Sequence, residues 1–209
     1  TPKTSSAASD VYKRQDEMVA PLLVGKDMSN IPELLLTLQK SLHLFGRYGI
    51  TMFAISGVEI ALWDALGKEK DKPVHELLGK KNKDLFKAYS SLFRYGDPKI
   101  VEQKCRQSLD DGYQAIKLHE IENNCIEAGR KGTGNLPLML DTNCPWTYEE
   151  TLAKKDFLKN MKLTWLEEPI YPPEDYETLA KLNKELGIPI ACGENACTEF
   201  EFKSMIKQK

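Results

Sequence analysis

Three short apolar runs each end in an acidic residue, at nearly even spacing, and this period constrains the fold more than any other feature of the chain. Asp141 closes LPLMLD, Glu167 closes LTWLE and Glu194 closes IPIACGE; from 141 to 167 is 26 residues, and from 167 to 194 is 27. A fourth run, YQAIKLHE, sets Lys117 and His119 one step earlier, with 24 residues from 117 to 141. About 25 residues holds one strand, a crossover helix and two short loops, so the period predicts repeated βα units. Parallel neighbours in a barrel would gather these strand-end groups at its C-terminal mouth, where such barrels do chemistry. Three carboxylates around one point repel each other unless a cation lies between them.

Segment by segment, residues 1–15 (TPKTSSAASDVYKRQ) read as a disordered tail or a cloning or assembly scar, without the apolar stretch of a secretory signal. Residues 16–80 read as helical. Ser29-Asn30-Ile31-Pro32-Glu33 offers a helix start before LLLTLQKSLHLF, AISGVEIALWDALGK carries a broad apolar face, and PVHELLG is a short helix closed by Gly79. From about 84 to 209 the pattern alternates. LFKAYSSL, YQAIKLHE, LPLMLDTN, LTWLEEP and IPIACGEN read as five strands. DPKIVEQKCRQSLDDG, TYEETLAKKDFLKNM, PPEDYETLAKLNKELG and TEFEFKSMIKQ read as helices, and a polar segment fills the gap after His119 to about Asn135. No glycine-rich nucleotide loop follows any strand. Five units fall short of the eight strands of a closed barrel, so the expected fold is α/β, an incomplete (β/α) barrel behind a helical segment, in a chain expected to be truncated.

The bulk numbers exclude several classes. Of 209 residues, 41% are hydrophobic and 29% charged, as in a soluble globular protein rather than a disordered one. A net charge of −2, with both signs mixed throughout, offers no stripe for nucleic acid or an anionic membrane. No apolar stretch is expected to approach the roughly 20 residues of a membrane span. Five scattered cysteines with no C-x-x-C pair predict reduced thiols and a cytoplasmic setting.

Strand side chains alternate faces, so Lys117 pairs with His119, Asp141 with Asn143, Trp165 with Glu167, and Cys192 with Glu194. Three carboxylates with water or substrate oxygens suit an octahedral hard cation, Mg2+ first and Mn2+ second, whereas paired His or Cys ligands for zinc are missing. A dication opposite a basic pair suggests removal of a proton beside a carboxylate, with Lys117 and His119 each expected to have its charged form disfavoured. Taken singly, any of these acids reads as an ordinary strand-end charge; the shared period is what makes them a set. Glu168 has outward parity and reads as a structural charge. His43 and His75 read as surface or packing residues, Trp63 and Trp165 as core, and Cys144 and Cys192 as small packing residues. Trp146 is a candidate pocket wall.

ALWDALGK and PVHELLG, then IKLH, LDTN, LEEP and GEN in this order, resemble the mandelate racemase and muconate lactonizing enzyme family of the enolase superfamily over roughly residues 16–209. The resemblance implies that 16–80 is the helical part of an α+β capping domain and that 84–209 supplies strands one to five of a modified TIM barrel. It matches Asp141, Glu167 and Glu194 to the family's three Mg2+ ligands and Lys117 and His119 to its K-x-K base motif, and sets Asn143 near the substrate carboxylate. His119 departs from the commoner lysine. The capping domain's first strands are not recognisable, and the strands supplying an opposite-face acid or base lie outside this chain. The implied parent is a homo-oligomeric, Mg2+-dependent enzyme acting on a small carboxylate, with dehydration of a sugar acid as the leading reading. A racemase or epimerase, or a catalytically incomplete metal-binding fragment, are the alternatives.

Overall fold

The computed structural model describes residues 7–79, 83 and 85–208, the side chains from Asp10 onward. Residues 1–6 of the expected tail therefore lie outside the described residues, as do Lys80, Asp84 and Lys209 at the bounds of the expected segments. The chain divides into two units, Thr1–Leu85 and Phe86–Lys209.

The first unit contains helices and no strand among the described residues. Helix α1 (Ala7–Arg14) continues through a π-helical turn, Gln15–Val19, into α2 (Ala20–Leu23); α3 (Ile31–Leu42), α4 (Ile50–Glu69) and α5 (Val74–Leu78) follow. Asn30 starts α3: its carbonyl oxygen accepts from the Glu33 N–H at 3.3 Å, while its Nδ2 donates to the Glu33 carboxylate at 2.8 Å. Val19, Ile31, Leu35, Leu38, Leu42, Ala54, Ile55 and Leu66 form the core. The disordered tail expected over 1–15 is corrected from Ala7 onward. Val11, Met18, Val19 and Leu22 recur at helical spacing and pack into this core, and Gln15 donates to the Ala54 carbonyl at 3.3 Å. A second correction concerns α4, which is long and apolar enough by length and composition to cross a membrane. It also buries Ala54, Ile55 and Leu66 in the core and carries Glu59 and Asp64.

The second unit is a parallel sheet in sequence order, β1 (Ser90–Ser91), β2 (Ile116–Leu118), β3 (Leu138–Asp141), β4 (Leu166–Glu167) and β5 (Ile190–Ala191). Between the strands run α6 (Pro98–Asp110), α7 (Asn123–Thr133), α8 (Tyr148–Ala153) with α9 (Lys155–Asn160), and α10 (Tyr176–Leu186); α11 (Glu199–Lys207) follows β5. The partial barrel is thus observed, with strands shorter than the apolar runs. Helix starts follow local chemistry. The Asp97 carboxylate accepts from the Lys99 and Ile100 N–H groups ahead of Pro98, Thr147 and Glu150 form a reciprocal capping box, and Asp175 accepts from the Thr178 N–H.

Ile116, Leu118, Leu138, Leu140 and Leu166 turn outward into a core with Val101, Cys105, Ile126, Leu158, Leu182 and Leu186 from the helices. The polar segment expected before Asn135 is instead α7. Its buried face is Cys125, Ile126, Ala128, Gly129, Gly132 and Thr133, too small in side chain to register as apolar periodicity. The glycines are there for space: a Cβ on Gly132 would lie 2.7 Å from the Cys105 Cβ and from the Glu102 carbonyl on α6, and one on Gly129 would overlap Leu118. The single helix expected over 147–161 is divided at Lys154 into α8 and α9.

Candidate active site

Register delivers the acids to one end of the sheet. Lys117 pairs with Met139, and Asp141 with Glu167, so Asp141 lies one pleat beyond Met139 on the face shared with Lys117. Asp141, Glu167 and Glu194 each offer an oxygen, and these lie within 4.8 Å of one another. Ligands on one octahedral Mg2+ lie about 2.9 Å apart when cis and about 4.2 Å when trans, given metal–oxygen distances near 2.0–2.1 Å, so the three oxygens would draw together on binding one ion. The donor set therefore fits a hard dication. Asp141 is buried, Glu167 half-buried and Glu194 exposed, which leaves one side open to water or a ligand.

The basic pair reaches the same place. The Lys117 ammonium, 8% exposed, donates to Asp141 Oδ2 at 3.1 Å and to Glu167 Oε1 and Oε2 at 3.0 and 3.1 Å. Its charged form, expected to be disfavoured beside a dication, is favoured by the carboxylates themselves. Burial alone would pull its pKa down, but the hydrogen bonds and charges of Glu167 and Asp141 outweigh burial and raise it above the ordinary lysine value. In effect the ammonium stands where carboxylate charge converges. His119 Nε2 lies 3.3 Å from Asp141 Oδ2, and its Nδ1 lies 2.5 Å from the Leu92 carbonyl. A carbonyl only accepts, so Nδ1 carries a hydrogen, and Nε2 is the ring nitrogen that faces the acids and can give up or take a proton there. Glu194 is pushed above the ordinary carboxylate value by burial first and then by the charges of Asp141, Glu168 and Glu167, which Lys117 partly offsets.

All six residues singled out in the sequence thus meet at one mouth. Asn143, at φ +56°, donates its backbone N–H and its Nδ2 to Asp141 Oδ1 at 3.1 and 3.0 Å. Two further residues have roles that the sequence did not reveal. Arg94, just after β1, donates to the His119 carbonyl at 2.5 Å, the Thr142 carbonyl at 2.9 Å and Asn143 Oδ1 at 3.3 Å, tying three strand ends together. Trp165, expected in the core, is half-buried; its Nε1 donates to Glu167 Oε2 at 2.9 Å, and Tyr89 stands edge-on to its ring. Nothing in local sequence marks the Arg94 contacts, because each partner lies one or more loops away, whereas Trp165 meets a residue two positions on along its own strand face. Glu168 is buried, as a structural charge would be. Trp146 is also buried, packing in the second core rather than lining the mouth, while His43 and His75 are exposed. All five cysteines are free.

Residues 1–79 match the mandelate racemase / muconate lactonizing enzyme N-terminal domain, and residues 100–209 match the enolase C-terminal domain-like family. The chain belongs to the mandelate racemase and muconate lactonizing enzyme family. It is 32% identical to arabinonate dehydratase of Saccharolobus solfataricus, an alignment covering 93% of this chain and 54% of that protein. It is 31% identical to L-talarate/galactarate dehydratase of Salmonella typhimurium, covering 94% of this chain and 51% of the relative. The chain thus spans about half the length of these curated relatives. A racemase from Streptomyces coelicolor, solved with bound magnesium, superposes with a TM-score of 0.88 at 27% identity, over 100% of this chain and 64% of that one. A mutant of the Salmonella dehydratase, solved with Mg and L-glucarate, superposes with a TM-score of 0.84 at 30% identity, over 98% of this chain and 53% of the other.

Proposed function

We propose that this chain carries the metal ligands and the base of an enzyme that removes the proton alpha to a carboxylate, and that its reaction is the dehydration of a sugar acid. One observation carries the reading: Lys117 and His119 from β2 and its following loop face the cluster of Asp141, Glu167 and Glu194. Asp141, Glu167 and Glu194 would hold Mg2+, with Mn2+ as the second candidate. Bound there, the ion supplies positive charge for the substrate oxygens as the alpha proton leaves.

The chain's own residues account for the remainder. His119, its tautomer fixed by the Leu92 carbonyl, presents Nε2 as the proton acceptor. Lys117 gives up its contacts to Asp141 and Glu167 before it can take a proton, and otherwise supplies charge beside the substrate carboxylate. An amide nitrogen has two hydrogens, and Asn143 uses one on Asp141, leaving the other for the substrate carboxylate at the exposed rim. The beta C–O bond then breaks as a proton, from His119 or from solvent, joins the departing hydroxyl to make water, leaving an enol that tautomerises to a 2-keto acid. The dehydratase relatives support this substrate class, and the free thiols support a cytoplasmic setting.

The structural likeness to a racemase favours a second reading, in which the proton returns to the opposite face. Aldonic and aldaric acids incubated with the protein and MgCl2 in deuterated water separate the two by NMR. Dehydration gives loss of the alpha proton and a keto acid; racemisation gives deuterium at the alpha carbon with inversion and no keto acid. Absence of exchange across the acid library, with metal present, overturns both.

A further inference from the structure

The carboxylate of Glu168 does not join the acids at the mouth, although it follows Glu167 directly. It is 1% exposed, and both of its oxygens are engaged by neighbouring loops. Oε1 accepts from the Gly193 N–H at 3.0 Å, and Oε2 accepts from the Cys144 thiol at 3.1 Å. These partners sit beside metal-ligand candidates: Gly193 immediately precedes Glu194, and Cys144 lies three residues after Asp141. The backbone repeats the linkage. Cys144 N donates to the Glu168 carbonyl at 2.6 Å, the Thr142 hydroxyl donates to the same oxygen at 3.0 Å, and Glu168 N donates to the Ala191 carbonyl at 3.0 Å.

We infer that Glu168 is a positioning residue, a clasp that holds the loops after β3 and β5 against the end of β4 so that Asp141, Glu167 and Glu194 can share one ion. Backbone conformation supports the assignment. Glu168 has φ +47°, and Asn143 and Cys144 have φ +56° and +59°, values that L residues keep only where their surroundings over-determine them. Gly193 has φ +119°, a region strained for any side chain, and a Cβ there would also press on Met205 at 3.1 Å. That turn is what aims its N–H at Glu168. The thiol is kept as a donor: burial first, then the hydrogen bond to Glu168, push the Cys144 pKa up to about 12.

The inference rests on the metal reading above, so the test separates the two. MgCl2 is titrated calorimetrically into the full chain and into E168A and E168Q, with folding followed by circular dichroism. The clasp predicts that E168A binds Mg2+ about tenfold or more weakly, the scale of outer-shell effects on metal sites. E168Q keeps an oxygen for Gly193 N–H, so the same principle puts it within about threefold of wild type. Equal losses in E168Q and E168A assign the effect to charge acting through space and overturn the clasp, as does unaltered affinity in folded E168A. Should E168A fail to fold, C144A takes its place, with about a threefold loss expected from one missing donor and unaltered affinity overturning the proposal. No binding by the wild-type chain overturns the metal reading itself, and the clasp with it.

Discussion

Successive residues of the same strands serve opposite ends. On β2 and β3, Ile116, Leu118, Leu138 and Leu140 point outward to the helices and are at most 1% exposed, while Lys117, Met139 and Asp141 point the other way. The outward set is held by area and close fit, which any apolar group of the right volume supplies. The inward set is held by polar contacts that need one another: the Lys117 ammonium between Asp141 and Glu167, and the His119 ring beside Asp141. Stability and chemistry therefore alternate residue by residue, and a change on one face should leave the other's property largely intact.

The largest effect that tests this separation is on the inward face. H119N and K117M are each expected to slow alpha-proton exchange by about 10³-fold, within the range of general acid–base contributions, with little change in melting temperature. Comparable exchange rates in both variants and wild type would remove the basic pair from the chemistry. On the outward face, L140A should cost about 3 kcal/mol in urea unfolding, as a fully buried leucine does, while Mg2+ affinity stays within about twofold of wild type. A large loss of metal affinity in L140A would break the comparison. D141N should lower Mg2+ affinity by about 100-fold in calorimetry, equivalent to a little under 3 kcal/mol, because it removes a charged ligand and unbalances Lys117 and His119 together.

The smallest effect concerns Glu194. Its pKa is raised in the folded state above the 4.5 of the free group, so the metal-free protein binds a proton there that the unfolded chain has already released. The resulting stabilisation is complete below pH 4.5 and is lost as pH rises through the raised value. E194Q should flatten that part of the melting curve, by about 1–3 °C for a protein of this size. Parallel curves for E194Q and wild type between pH 7 and 4.5 would show that Glu194 does not feel the neighbouring acids.

The inward face was legible in the sequence because its residues are chemically conspicuous and recur with the βα period: Lys117, His119, Asp141, Glu167 and Glu194 all meet as their spacing implies. Hidden were features whose meaning depends on partners several loops away. Arg94 looked like any loop arginine until its contacts to His119, Thr142 and Asn143 were seen. Trp165 was hidden for a different reason: its partner Glu167 is only two residues on and on the same face, but an indole in an apolar run reads as packing rather than as a donor. Helix α7 escaped because periodicity is read from bulk, and apart from Ile126 its buried face is built from glycine, alanine, cysteine and threonine. The helix at Ala7–Arg14 escaped for a related reason: among its described side chains only Val11 joins the core, and Met18, Val19 and Leu22 extend that face beyond it.

Gly129 shows what such small residues do for the outer layer. It lies on the outer layer, and a methyl group at its α-carbon would intrude on Leu118, the residue between Lys117 and His119. An alanine there would force the Leu118 side chain to shift within the outer core, so its cost should fall on packing and leave the contacts of Lys117 and His119 in place. The outer layer thus depends on atoms that are missing, where the mouth depends on particular atoms that are present.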